Sequence, residues 1–145
     1  MKVLVAIDHS RFSEQALGAV PQIAPKGTEV RILHVLQPIT IEPPPQMSGG
    51  YAPELEKEGK EAQKFMGRAA ESLTSAGFKV DTVLRTGDVR LEIVDMAIEW
   101  SADLVVVGSH GRSGIPRLLL GSKAEYVARH SPCSVLIVRT PKRQV

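Results

Sequence analysis

The scarcities of this sequence narrow what it can be. It has one cysteine, Cys133, so no intrachain disulfide can form, and a reducing cytoplasm suits it better than an oxidising compartment. No long apolar run is present at the start: Val3 to Ile7 ends in Asp8, far too short for a secretory core or a membrane span, so a soluble, cytoplasmic protein is expected. Charge of one sign is not in excess either. The 18 basic and 16 acidic residues interleave and leave a net +2, which implies neither nucleic acid nor a membrane surface as partner. There is no Gly-x-x-x-x-Gly-Lys-Ser/Thr P-loop and no glycine-rich pyrophosphate loop after the first apolar run. His9, His34 and His110 match no metal-binding spacing, and no internal repeat is found. What is present, 145 residues with 43% apolar content, suits one compact domain over 1–145.

Apolar runs alternate with helical spacings. Val3–Ile7 and Leu104–Val107 are continuous and rich in β-branched residues, as expected of strands covered on both faces, and Val30–Leu36 and Val135–Val138 are read as two further strands. Val80–Arg85 alternates apolar with polar residues, which places it at a sheet edge. Phe12, Ala16, Val20 and Ile23 mark a first helix with Ser10 available as N-cap and Pro25-Lys26-Gly27 as its stop. Pro38–Pro53, with five prolines and Ser48-Gly49-Gly50, is predicted to be a loop without regular structure. A second helix follows from Pro53 to Gly77, and a third, capped by Asp88, carries Val89, Ile93, Ala97 and Trp100. Ser122–His130 is a fourth, and the basic tail from Pro141 is expected to fray.

Strands alternating with helices predict a doubly wound, Rossmann-like five-stranded parallel sheet with helices on both faces. Order 3-2-1-4-5 puts the switch point between the first and fourth strands, where such sheets bind ligands beyond the strands' carboxyl ends. Those ends are Asp8 and Gly108. After Gly108 comes a loop with Gly111, Gly114 and Gly121, joined by Arg112, Arg117 and Lys123, before the helix at Ser122. Glycines allow close backbone approach to an anion, and a helix N-terminus favours phosphate. The plainer reading keeps the glycines as turn residues, with Ser122 and Glu125 as a capping box. Asp8 likewise has a plain reading, as a cap for the first helix.

The spacing Gly108, Gly111, Gly121-Ser122 resembles the ATP-binding motif of the universal stress protein family. The resemblance runs along the whole chain, through Val3-Leu4-Val5-Ala6-Ile7-Asp8 with Ser10, Leu33-His34-Val35, Gly108-Ser109-His110-Gly111 and Ser131–Val138. It implies ATP as ligand, or ADP or AMP, with Mg²⁺ carried by the phosphates. It further implies Asp8 near ribose or adenine, Val35 against adenine through its backbone, and Val107 and Gly108 along the adenosine. Gly111, Arg112, Gly121 and Ser122 would hold phosphates, and Ala6, His110, Lys123 and Ala124 complete the implied binding set. Ala124 departs from the pattern, because relatives can carry a hydroxyl there. A homodimer through the last strand, Val135, Leu136, Ile137 and Val138, is also implied, and that apolar edge needs a cover in any case.

Two classes of function follow: a nucleotide-responsive binding module, or a slow ATPase or adenylyl or phosphoryl transferase. The missing P-loop and the lack of an obvious general base favour the module. A nucleotide-free dimeric scaffold is a third reading. Cys133 is read as a small buried hydrophobe and Trp100 as helix packing.

Overall fold

The computed structural model describes residues 1–8, 10–38, 48–110 and 120–139, apart from the side chains of residues 48–53. In chain order the elements are β1 (Lys2–Ile7), α1 (Arg11–Ile23), β2 (Glu29–Leu36), α2 (Ser48–Ser75), β3 (Lys79–Thr86), α3 (Val89–Trp100), β4 (Leu104–Gly108), α4 (Ser122–His130) and β5 (Ser134–Val138). All four neighbouring pairs are parallel and the order is β3-β2-β1-β4-β5, as the sequence predicts. No described helix is long and apolar enough to cross a membrane.

The two-residue period of β1 divides the core. Val3, Val5 and Ile7 pack with Ala16 and Val20 of α1 and Met66 and Leu73 of α2, on one face of the sheet. Leu4 enters the opposite core with Ile93 and Ala97 of α3 and Ala124 and Val127 of α4. Because β1 is covered on both faces, its sequence has to be apolar at successive positions rather than alternate ones.

The predicted loop needs a correction. Residues 39–47 and the tail beyond 139 lie outside the described residues, but α2 begins at Ser48, so Ser48–Pro53 is helix. Pro53 lacks an N–H and costs one backbone bond near the helix start. The long run behind it makes this tolerable, since extending an existing helix avoids the cost of nucleation. The edge strand β3 is exposed as expected, and its charges find partners nearby. Arg31 and Asp81, directly opposite on β2 and β3, form a two-pronged ion pair at 2.8 and 3.0 Å, while Arg85 reaches Glu92 and Glu99 of α3.

At the start of α3 the Asp88 carboxylate accepts from the N–H groups of Arg90 at 3.0 Å and Leu91 at 3.3 Å, the cap the sequence predicts. The Arg90 side chain, bonded to the same carboxylate, is the main cause that holds its pKa below the ordinary 3.8, and the two N–H groups add to it. A depressed folded-state pKa means that the contribution to stability is complete well above pH 3.8 and fades as pH falls through the folded value. Asp88→Ala should therefore lose about 1 kcal/mol at neutral pH. Urea unfolding across pH should show the gap between the two proteins closing on the acid side.

Candidate functional site

β1 and β4 lie side by side, but the chain leaves them in opposite directions, α1 towards β2 and α4 towards β5. The parting opens a cleft of ≈ 600 Å³ beyond their carboxyl ends, continuous with solvent. Its apolar wall comes from Ala6 and Val107 on the strands, Val89 and Ile93 on α3, and Ala124 and Val127 on α4. Its polar side comes from Asp8, Ser13, Ser109, His110, Ser122 and Lys123. Among the described lining residues, Asp8 is the one carboxylate and Lys123 the one lysine or arginine. An apolar slot with a carboxylate at one side and a cation with helix N–H groups at another suits a flat polar ring that carries an anionic tail.

The turn that forms the floor is tied down by backbone bonds. The Ser109 N–H donates to Val138 O at 2.9 Å, and the Gly121 N–H donates to Ser109 O at 2.9 Å. These two bonds bring the start of α4 to the end of β4, whatever path the intervening residues take. Glycine is needed at both contacts for space. A Cβ on Gly108 would stand 2.6 Å from Phe12 Cβ and 3.1 Å from Phe12 O, and one on Gly121 would stand 2.8 Å from Ser109 O. Gly121 is also the N-cap of α4, with Ser122 as the first helical residue. The predicted capping box from Ser122 to Glu125 is thus not formed: Ser122 sits one position too late, and Glu125 pairs with Arg129 at 2.9 Å instead. With glycine at the cap, the cap residue has no side chain to close the first-turn N–H groups.

Asp8 is held by the first turn of α1. Its Oδ1 accepts from the Ser10 N–H at 3.0 Å, the Ser10 hydroxyl at 2.5 Å and the Ser13 hydroxyl at 2.7 Å. The Asp8 N–H in turn donates to Ser13 Oγ at 2.7 Å. Across the cleft His110 is buried; its Nδ1 lies 3.1 Å from Ser109 Oγ and its ring 5.4 Å from that of Phe12.

Of the residues singled out from sequence, Ala6, Asp8, Val107, Gly108, His110, Gly121, Ser122, Lys123 and Ala124 converge on this one cleft. Val35 does not line it; it is buried in the core with Ile93 and Val94, one residue before the end of β2. Gly111 and Arg112, like His9, lie outside the described residues. Ala124 is buried against the α3 core, whereas Ser122 and Lys123 are exposed. Sequence reasoning missed Ile7, Ser13, Val89, Ile93, Ser109 and Val127 as site residues. Ser13 had a signal, since Asp8-x-Ser10-x-x-Ser13 sets two hydroxyls at a strand end, but the four apolar residues read only as helix or strand, and Ser109 only as part of the glycine motif. Trp100 does pack on the core, with Arg31 4.6 Å from its ring centre. Cys133 is half-buried beside the same core. No group of His, Cys, Asp or Glu able to hold a metal occurs among the described residues.

Fold and cleft together define a doubly wound α/β domain with an open cleft at the switch point. The family model of universal stress proteins matches residues 1–139. Universal stress protein YxiE of Bacillus subtilis is 35% identical over 145 residues, covering 95% of this chain and 98% of its own length. The chain belongs to the universal stress protein family. Among solved structures, that of MJ0577, described as a structure-based assignment of biochemical function, superimposes with a TM-score of 0.87 at 31% identity, covering 99% of this chain and 97% of its own. A universal stress protein described as in complex with cAMP superimposes with a TM-score of 0.71 at 28% identity, covering 97% and 98%.

The close approaches make both glycines poor places to probe binding. Gly108→Ala and Gly121→Ala should each destabilise the fold by about 1–3 kcal/mol, because backbone and Cβ atoms must shift to admit one methyl group. Thermal unfolding checks this. An unchanged midpoint in both variants would mean that the turn is looser than these contacts imply.

Proposed function

We propose that this protein binds an adenine nucleotide, ATP or its relatives ADP and AMP, in the switch-point cleft, and acts as a nucleotide-responsive regulatory module. One observation carries the reading: the apolar slot between α3 and α4 ends at the glycine-capped N-terminus of α4 and Lys123, and its other side holds the acceptor Asp8. A purine fits between aliphatic walls, ribose hydroxyls are donors for a carboxylate, and phosphates take the helix N–H groups and Lys123. The relative in complex with cAMP, 28% identical over nearly the whole chain, supports an adenine ligand. Mg²⁺ entering with ATP would be held by phosphates and water.

Holding is favoured over turnover. Asp8 Oδ1 is occupied by three donors, an arrangement that suits a fixed acceptor better than a base that must take up a proton. The regulatory reading also draws on the sheet edges. β3 carries Lys79, Asp81 and Arg85, whereas β5 offers Val135, Leu136, Ile137 and Val138, all only half-buried. Pairing of two copies through β5 would cover that edge. Cytoplasmic residence belongs to the same reading.

Calorimetric titration of nucleotide-stripped protein with ATP, ADP, AMP and cyclic AMP in magnesium tests the site. Saturable binding of at least one is expected, with roughly tenfold weakening of ATP in the exposed Lys123→Glu variant. A folded wild-type protein that binds none of the four overturns the nucleotide reading and leaves a scaffold. For the pairing, sedimentation should give twice the 15.7 kDa chain mass; the monomer mass at high concentration would refute it.

A further inference from the structure

We propose that Ser13 is a positioning residue of the cleft. With Ser10 it locks the Asp8 carboxylate in one orientation and in its ionised form, so that the cleft selects ligands presenting a hydroxyl or amino donor at that point. The ligand half rests on the nucleotide reading above; the lock itself does not.

Ser13 is 3% exposed, in the first turn of α1. A serine hydroxyl has one proton and two lone pairs. The Asp8 N–H occupies a lone pair at 2.7 Å, and the 2.7 Å contact with Oδ1 uses the proton, because an ionised carboxylate can only accept. One side chain therefore fixes both the backbone and the carboxylate of the residue that ends β1. Its own place is set by the bond from the Ser13 N–H to Ser10 O at 3.0 Å. Ser10 adds its N–H and hydroxyl to the same oxygen. Three donors converging on one carboxylate oxygen favour the charged form over the protonated one.

A purely structural serine would need only the bond from the Asp8 N–H. The second bond, to the carboxylate, is what a positioning role adds, and it has its own readout. The other titratable side chains that line the cleft, among the described residues, are His110 beyond β4 and Lys123 on α4, while the helices bordering it carry Arg11 and Glu14 on the first turn of α1 and Asp88 and Arg90 at the start of α3. All are common to the wild-type protein and the serine variants, so a difference between these proteins belongs to the hydroxyls.

The test follows the Asp8 side-chain carboxyl by NMR through an acid titration of the nucleotide-free protein, beside calorimetry with AMP and ATP across pH. In Ser13→Ala the Asp8 midpoint should move up, and Ser13→Thr, which keeps the hydroxyl, should restore it. Ser10→Ala, at a less buried position, should give an upward shift in the same sense and serves should Ser13→Ala fold poorly. At neutral pH nucleotide affinity should fall roughly tenfold in Ser13→Ala. The acid limb of binding should move up with the Asp8 midpoint and vanish in Asp8→Asn. An Asp8 midpoint unmoved in both serine variants overturns the lock. A midpoint that moves while affinity stays level overturns the ligand half alone. Wild-type protein that binds neither AMP nor ATP overturns the ligand half, binding of none of the four nucleotides overturns the nucleotide reading as well, and in either case the titration still decides the lock.

Discussion

Everything in this structure depends on β1 pairing in parallel with two neighbours at once. Val3, Leu4 and Val5 sit opposite Val30, Arg31 and Ile32 on one side and opposite Leu104, Val105 and Val106 on the other. Parallel strands need crossovers of one hand, so moving left from β1 places α1 and α2 on one face, and moving right places α3 and α4 on the other. The cleft follows from that reversal: the chain leaves adjacent strand ends in opposite directions, and among the described residues a space stays open between them. The chemistry placed there is a separate matter, settled by a few residues of the turns.

Those residues show that one glycine can answer to two demands. Gly121 sits where the backbone of Ser109 passes too close for any side chain, and it also begins α4 with no capping side chain of its own. Packing alone would account for the glycine; the bare helix end follows from it without further cost. Gly108 does the same for α1, since its missing side chain lets Phe12 settle against the end of β4. With α1 that close, Ser10 and Ser13 come within reach of Asp8. The close packing of glycine therefore precedes the hydrogen-bonded carboxylate in the order of causes.

The strands were legible because burial on both faces leaves so little choice: Leu104-Val105-Val106-Val107 and Val3 to Ile7 suit no amphipathic pattern. Strand order was legible only in part: the alternation of β3 marked one edge, while the apolar run of β5 did not mark the other, so 3-2-1-4-5 was one choice among several allowed ones. The start of α2 was not legible. Ser48-Gly49-Gly50 and Pro53 each argue against helix locally, and the stabilising influence is the long helix that follows, which a local reading cannot weigh. At the site, the glycine–serine spacing and Asp8 stood out because their residue types are unusual at those places. Val89 and Ile93 did not, for a side chain that walls a cleft has the same apolar character as one that fills a core. Ser13 was hidden differently: a hydroxyl in a helix's first turn is ordinary, so the pattern Asp8-x-Ser10-x-x-Ser13 gains its weight from the 2.7 Å distance to Asp8.

The proposed nucleotide cleft and the proposed pairing edge share one turn. Val138, the last residue of β5, accepts the Ser109 N–H, and Ser109 O accepts the N–H of Gly121, which begins α4. Any shift of the start of α4 would bear on the Ser109 carbonyl, and Ser109 is bonded through its amide to the edge strand. The route is two backbone bonds long, each at 2.9 Å, and no side chain needs to change rotamer along it. The opposite edge has no such link: β3 is joined to α3 through Arg85, Glu92 and Glu99, on the far side of β2 from the switch point. Charge on β3 and apolar residues on β5 therefore distinguish an edge unsuited to pairing from one that adjoins the proposed ligand cleft, and the proposed regulatory module would need that second arrangement for occupancy to be felt by a partner.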